Sequence, residues 1–381
     1  MQRVVTDNVG KNNIVKEINN MRIITCEQVS DGHPDKICDQ IADAIVTDCL
    51  KNDKNSRVAI EVLIKDNHII IAGELTSKHK PDYRKLVYEV FDRIGFDKLG
   101  GGLSFDPLYA GPEIGILVKE QSADIALGVD KGGAGDQGMM YGYATNETPE
   151  YLPIPFVVAT RFLELLKKHP SKMFRADAKA QVSYDYDSGK ITTFLCSVQH
   201  SPDVEPSDFR QIIETLMVVA AGEYGLNGDF EKLVNPTGRF VIGGSYADCG
   251  VTGRKLACDT YGGVGHIGGG AMSGKDPSKV DRSGAYAARA IARAVVKGLM
   301  ADRCEVQIAY AIGVAQPVSV YVETFGTEHV DKAAIENFVK NFDLTPNGII
   351  GEYDLLDFDY NKVSAYGHFG KEGLPWERKF Y

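Results

Sequence analysis

One order of elements occurs three times along the 381 residues, and it limits the fold more than any single motif does. Ile37, Ile41, Ile45 and Cys49 stand four apart behind Pro34, so the spacing predicts a helix over Pro34–Asn52 with the proline at its first position. Arg57–Ile64 and His68–Leu75 are rich in β-branched residues around Lys65-Asp66-Asn67, a hairpin pattern, and Tyr83, Leu86, Val87, Val90 and Ile94 restore helical spacing over Pro81–Ile94. The order returns as helix Ile154–Lys168, strands Ala180–Tyr186 and Ile191–Gln199 around Asp187-Ser188-Gly189-Lys190, and helix Ser207–Tyr224. It returns again as helix Arg282–Met300, strands Glu305–Val314 and Val318–Thr324, and helix Asp331–Phe342. Three units of roughly 120 residues with matching element order and little shared sequence predict a triplicated α+β architecture. Each sheet must cover its apolar face with helices, and any face left bare favours association.

Two glycine-rich segments, Gly128–Gly142 and Gly243–Gly274, separate the units. They are longer and more polar than scaffold connections require, so function is expected there. Composition narrows the ligand classes. A formal charge of -10 argues against a general nucleic-acid or membrane-surface binder, so an anionic ligand must meet a local basic cluster. The seven cysteines are odd in number and scattered, with no C-x-x-C pair, which predicts reduced thiols and a cytoplasmic setting. Met1–Met21 is polar, lacks the apolar run of a secretory signal and reads as a loose extension. No stretch approaches the ~20 apolar residues of a membrane span.

Ser30-Asp31-Gly32-His33-Pro34-Asp35-Lys36 places an imidazole, a carboxylate and an ammonium where the first helix begins. Free N–H groups and the helix dipole favour anions there, which suits a phosphate and Mg²⁺ site; a plain N-terminal cap explains the same residues. Gly268–Arg282 joins a glycine run to Lys275, Asp276, Lys279, Asp281 and Arg282 just before a helix, a composition suited to a polyphosphate. Gly269–Lys275 formally fits G-x-x-x-x-G-K, but Asp276 stands where a P-loop needs Ser or Thr, and no buried parallel strand precedes it. Asp177-Ala178-Lys179 and Asp248–Lys255, with Arg254, add cations beside carboxylates in glycine-rich or strand sequence, whereas solvated charge runs usually lie on amphipathic helices. Gly133–Gly138 alone is no more than a turn signal. Glu61 and Glu74 interrupt apolar strands, so each faces outward or needs a cation. His266 and Trp376 read as structural.

Taken together, Asp31-Gly32-His33-Pro34-Asp35-Lys36, Gly133–Gly138 and Gly268–Lys279 resemble the signature segments of methionine adenosyltransferase, also called S-adenosylmethionine synthetase. The likeness extends through Tyr141–Thr148, Asn235–Phe240, Asp259–Gly263 and the tail Ala365–Gly370, leaving only the first 21 residues outside it. It implies three similar α+β domains around a pseudo-threefold axis, with boundaries at 22–125, 133–240 and 241–381, an extension over 1–21 and a short gate loop over 126–132. That loop is shorter than in many relatives. The resemblance also implies a homodimer or homotetramer with active sites at the dimer interface.

By the same carry-over, His33, Lys179, Arg254, Lys255 and Lys275 would be the catalytic and phosphate-holding groups. Asp177, Ala178, Arg239, Phe240, Asp248 and Ala271 would line the ATP. Glu74, Gln121, Asp248 and Lys279 would contact methionine. Asp35 and Asp281 would bind Mg²⁺, two ions per site, and Glu61 would bind one K⁺ per subunit. The implied reaction is in-line attack of the methionine sulfur on ATP C5′, giving S-adenosylmethionine and tripolyphosphate, which is hydrolysed to pyrophosphate and phosphate. Positioning and charge would carry such a reaction, since a thioether sulfur needs no activation. Two rivals stand beside it: an ATP phosphotransferase, against which Asp276 speaks, and a non-catalytic subunit, which would be expected to lose charged site residues.

Overall fold

The computed structural model describes residues 22–96, 111–120 and 132–378. The first unit contains β1 (Ile23–Val29), α1 (Pro34–Asn52), β2 (Arg57–Lys65), β3 (His68–Thr76), α2 (Tyr83–Ile94) and β4 (Glu113–Lys119). The second contains β5 (Gly138–Thr145), α3 (Ile154–Lys168), β6 (Phe174–Asp185), β7 (Lys190–His200), α4 (Pro206–Gly222) and β8 (Glu231–Val234). The third contains α5 (Gly244–Ala247), β9 (Gly250–Val251), α6 (Leu256–Asp259), α7 (Val280–Lys297), β10 (Arg303–Tyr310), β11 (Ser319–Glu323), α8 (Lys332–Val339) and α9 (Pro346–Glu352). The helix, hairpin and helix expected in each unit are all present.

Strand pairing, however, does not respect the units. The sheets run β9-β2-β3-β4, β1-β6-β7-β8 and β5-β10-β11, so every sheet is built on one unit's hairpin and edged by a strand from another. The first unit gives β1 to the second sheet, the second gives β5 to the third, and the third gives β9 to the first. All three donated strands are antiparallel to the hairpin they join, while β4 and β8 add in parallel on the far side. The exchange closes a cycle, which matches threefold pseudosymmetry and locks the units together.

Two sequence expectations change here. Gly128–Gly142 is not a loop throughout, because β5 begins at Gly138 and its backbone pairs with β10. Likewise β6 begins at Phe174, six residues before the β-branched pattern becomes legible, so Asp177 lies within an irregularity of its pairing with β7 and Ala178 and Lys179 lie just past it, all three within a strand.

The apolar core forms two clusters: one packs α3 and α4 on the second sheet, and the other joins the first and third sheets to the C-terminal tail. Trp376 is fully buried in the latter, its ring stacked 3.7 Å from Tyr286, as a structural residue should be. His266 instead lies on the surface and pairs with Glu305. Among the described residues no helix is long and apolar enough to cross a membrane.

Candidate functional site

The N-terminus of α1 is the centre of the site. His33 adopts extended φ/ψ, and its Nδ1 accepts the Asp35 N–H at 3.2 Å, so His33 is the N-cap with Pro34 behind it at the first helical position. Because Nδ1 is the acceptor, the ring proton sits on Nε2. Burial and the Lys255 ammonium pull the His33 pKa down to about 4 against the opposing Asp35 charge, so the imidazole is neutral at pH 7 and Nε2–H is a donor. Gly32 is needed at this turn: a Cβ there would lie 2.4 Å from the Ala176 Cβ, where β6 passes beneath.

Asp35 is fully buried and accepts from the Val251 N–H at 2.9 Å, Arg254 Nε at 2.9 Å and Lys255 Nζ at 2.7 Å. Burial alone would raise its pKa; the Lys255 and Val251 hydrogen bonds outweigh that and hold it below the usual carboxylate range. Lys179, on β6, and Asp248 both act electrostatically on His33, which places them around the same point. Lys179 also pairs with Glu27 at 2.9 Å. Asp177 is buried and accepts the Gly244 N–H at 2.7 Å, and burial together with the Asp248 and Asp35 charges raises its pKa to about 7 against that hydrogen bond. Gln199 links it to the next segment, accepting from the Asp177 N–H at 3.3 Å and donating to the Val241 carbonyl at 2.9 Å. Phe240 is held beside it through His200, and Arg239 is exposed. The structure therefore brings His33, Asp35, Asp177, Ala178, Lys179, Phe240, Asp248, Arg254 and Lys255 into one neighbourhood.

A second group forms elsewhere on the first sheet. Along β2, Val58, Ile60, Val62 and Ile64 are buried towards the helices, so Ala59, Glu61 and Leu63 face outward. Ala59 shares its register with Glu74 on β3 and with Lys275 on the other edge, so the three stand in one row across the outward face. Glu61 lies two residues further along that face and is exposed. Lys275 pairs with Asp281, and Lys279 with fully buried Asp276, which also accepts the Val58 N–H at 2.7 Å. Ala271 abuts the Gly253 turn: a Cβ at Gly253, whose φ is 79°, would approach the Ala271 Cβ to 2.5 Å. Gln121 and the gate loop, apart from Gly132, lie outside the described residues.

Helix α1 ties the two groups together, partly through Asp39 and Asp43, which the sequence reading passed over. Asp31, Asp35, Asp39 and Asp43 recur every fourth residue, and all four are buried. Asp39 accepts the Gly253 N–H at 2.9 Å and pairs with Lys36, which is also held by Asp259. Asp43 accepts the Gly274 N–H at 2.9 Å and pairs with fully buried Arg282. Burial would lower the Lys36 pKa, but its two carboxylates outweigh this and raise it well above the lysine range. The signal was present as a carboxylate stripe of helical period, alongside the apolar stripe of Ile37, Ile41 and Ile45.

Among the described residues no three His, Cys, Asp or Glu side chains converge as a metal cage. Single carboxylates such as Asp35 and Asp281, each facing cations that also suit phosphate, fit a cation that shares its coordination between protein and polyphosphate, the usual habit of Mg²⁺.

Comparisons with known proteins bear on the whole chain. The S-adenosylmethionine synthetase N-terminal domain family matches residues 21–123, the central domain family 131–240 and the C-terminal domain family 242–378. An S-adenosylmethionine synthase of Mesoplasma florum is 45% identical over 370 residues, covering 94% of this chain and 97% of the relative. One from Mycoplasma capricolum is also 45% identical, over 94% of this chain and 95% of its own. Among solved structures, an unusual S-adenosylmethionine synthetase from Campylobacter jejuni superposes with a TM-score of 0.87 at 39% identity, covering 94% of this chain and 97% of that one.

Proposed function

The chain belongs to the S-adenosylmethionine synthetase family and makes S-adenosylmethionine from ATP and methionine, and on that premise we propose that each active site is shared by two copies of the chain. The observation that carries this reading is the placement of the two residue groups on opposite sides of the first sheet. Asp35, Arg254 and Lys255 gather at the N-terminus of α1, on the helical side, whereas Glu61, Glu74 and the Lys275 register position lie across the outward face. A substrate bound to one group meets the other only if a second copy presents its outward face. That face is apolar and bare around the charges: Ile70, 39% exposed, stands opposite Leu63, and Leu117, 66% exposed, stands opposite Ala72.

Within such a site, ATP phosphates lie against Lys179, Arg254 and Lys255 of one copy and Lys275 of the other. The neutral His33 donates its Nε2–H to an oxygen near the breaking bond. Negative charge grows on the leaving tripolyphosphate as the C5′–O bond breaks, and fixed cations stabilise it without reorganising. The sulfur of methionine, held by Glu74, Gln121, Asp248 and Lys279, attacks C5′ in line, so no covalent enzyme intermediate is needed. Asp177, Ala178, Arg239, Phe240 and Ala271 line the nucleotide. Asp35 and Asp281 would hold two Mg²⁺ ions, which when bound supply further positive charge to the polyphosphate. The same cations hold the tripolyphosphate for hydrolysis to pyrophosphate and phosphate. Glu61 would be buried by the second copy amid apolar neighbours, and a carboxylate so placed calls for a cation, here one K⁺.

The domain boundaries that fit this reading are 22–125, 133–240 and 241–381, supported by the element order, with an extension over 1–21 and a gate over 126–132. A cytoplasmic location is supported by the seven cysteines, all free and six of them buried. A homodimer suffices for the site, and a homotetramer would be a pair of such dimers.

Subunit mixing tests the shared site. Lys255→Met and Lys275→Met chains, each inactive alone, are co-expressed with different affinity tags and the doubly tagged species is isolated. Each mixed dimer then has one intact site and one doubly damaged site, so the isolated mixed species forms S-adenosylmethionine at roughly half the wild-type rate per dimer. Isolated mixed dimers without activity would show that both lysines act within one chain.

A further inference from the structure

The cations assigned to ATP do not stand on their own elements. Arg254 and Lys255 follow a two-residue strand and a left-handed turn at Gly253, a segment with little regular structure to fix it. What fixes it is a carboxylate that no substrate reaches. Asp39 lies one helical turn beyond Asp35 on α1 and has no solvent exposure. One of its oxygens accepts the Gly253 N–H at 2.9 Å, and the other accepts from Lys36 Nζ at 2.9 Å. Lys36 is 1% exposed and reaches across to Asp259, 2% exposed, whose α6 directly follows Lys255. The network therefore grips the Arg254–Lys255 segment from both ends, at Gly253 before it and Asp259 after it.

We propose that Asp39, with Lys36 and Asp259, forms a buried triad that positions the phosphate-holding pair Arg254 and Lys255 for this reaction. Rigid α1 sets the reference, and the triad carries that reference to a segment that would otherwise find its own place. Asp35 alone does less, because it holds the backbone only at Val251 and otherwise meets Arg254 and Lys255 at their flexible ends, whereas Asp39 at Gly253 and Asp259 fix the backbone on either side of the pair. An amide cannot replace the Asp39 carboxylate, which serves two donors with two oxygens; an asparagine must turn its NH₂ towards either the Gly253 N–H or the Lys36 ammonium. Asp39 is thus a positioning residue, and the proposal rests on the assignment of Arg254 and Lys255 to ATP phosphates.

The test compares Asp39→Asn with Glu377→Gln, which damages an equally internal charge cluster at Arg289 and Arg293, away from the site. Steady-state kinetics and tripolyphosphate inhibition are measured on folded protein, alongside thermal stability. Removing one partner from a buried charged hydrogen bond translates into about a 10- to 100-fold effect. The expected result is that Asp39→Asn raises the KM for ATP and the tripolyphosphate inhibition constant by that factor and leaves the KM for methionine unchanged, while Glu377→Gln lowers Tm and moves neither constant. Should Asp39→Asn fail to fold, Asp39→Glu keeps the charge beside Lys36 but displaces the acceptor for Gly253, and the same rise is expected. Unchanged ATP and tripolyphosphate constants in the folded variant overturn the proposal. Lys255→Met separates the two readings: wild-type ATP kinetics in that variant overturn the phosphate assignment itself, whereas a damaged Lys255→Met beside a normal Asp39 variant removes only the triad.

Discussion

The two groups of charged residues that flank the first sheet are built in opposite ways. At the N-terminus of α1, Asp35 meets Val251, Arg254 and Lys255 across more than 200 residues of chain. Where the loop runs into α7, Lys275 and Asp281 are six residues apart, and Lys279 and Asp276 only three. The first group exists only when the whole chain has folded, whereas the second is nearly written in local sequence. Both are pinned to α1, through Asp35 and Asp39 in one case and Asp43 in the other. One rigid helix therefore fixes the long-range half of one shared site relative to the local half that the same chain gives to the other site.

The sharpest way to break the comparison is to remove charge from each group. Lys179→Met in the first and Asp281→Ala in the second should each slow S-adenosylmethionine formation by about 10²- to 10³-fold in kcat, because the first removes a cation facing the leaving group and the second a carboxylate that would hold Mg²⁺ against it. Circular dichroism and Tm should stay close to wild type. Wild-type turnover in Asp281→Ala would show that the local group is no part of the site.

Next in size is the anchor of the second group. Arg282→Met leaves Asp43 buried without its partner, and losing one side of a buried pair costs about 3–5 kcal/mol. Denaturant unfolding should show that loss. If stability is unchanged, α1 does not hold the loop as the structure indicates.

A smaller effect sharpens the first group. Asp177 carries a pKa raised to about 7 by burial, above its unfolded value near 3.8. The folded state therefore binds the proton more readily, so this contribution is complete at pH below the unfolded value and declines as pH rises through 7. Asp177→Asn should be more stable than wild type at pH 8, by on the order of 1 kcal/mol, and more weakly bound to ATP; thermal scans at pH 5 and pH 8 check the sign. His33 behaves in the opposite sense. Its pKa falls to about 4, so its share of stability is present above pH 6.5 and is lost as pH drops towards 4.

The smallest predicted change is at the outward face. Glu61→Gln should remove K⁺ activation and reduce turnover by about 3- to 10-fold with dimerisation retained, since only one charge among apolar neighbours is lost. Activity titrated against KCl measures it, and persistent K⁺ activation would place the ion elsewhere.

Much of this molecule was determined by sequence alone, where the controlling interactions are local. Pro34–Asn52 and Ile154–Lys168 form the helices that their spacing predicts, to the residue, because helical period and N-terminal prolines act within a few positions. The hairpins formed for the same reason. Glu61 was legible as a misfit because strand alternation is also local. Tertiary structure alone decided the cyclic exchange of β1, β5 and β9, since strand partners are chosen by long-range backbone pairing that leaves little trace in composition. It also decided that Asp39 and Asp43 turn inward: beyond the local Lys36, a buried carboxylate here is stable only when a distant Gly253, Gly274 or Arg282 arrives to meet it, and its own neighbourhood in the chain does not say which will.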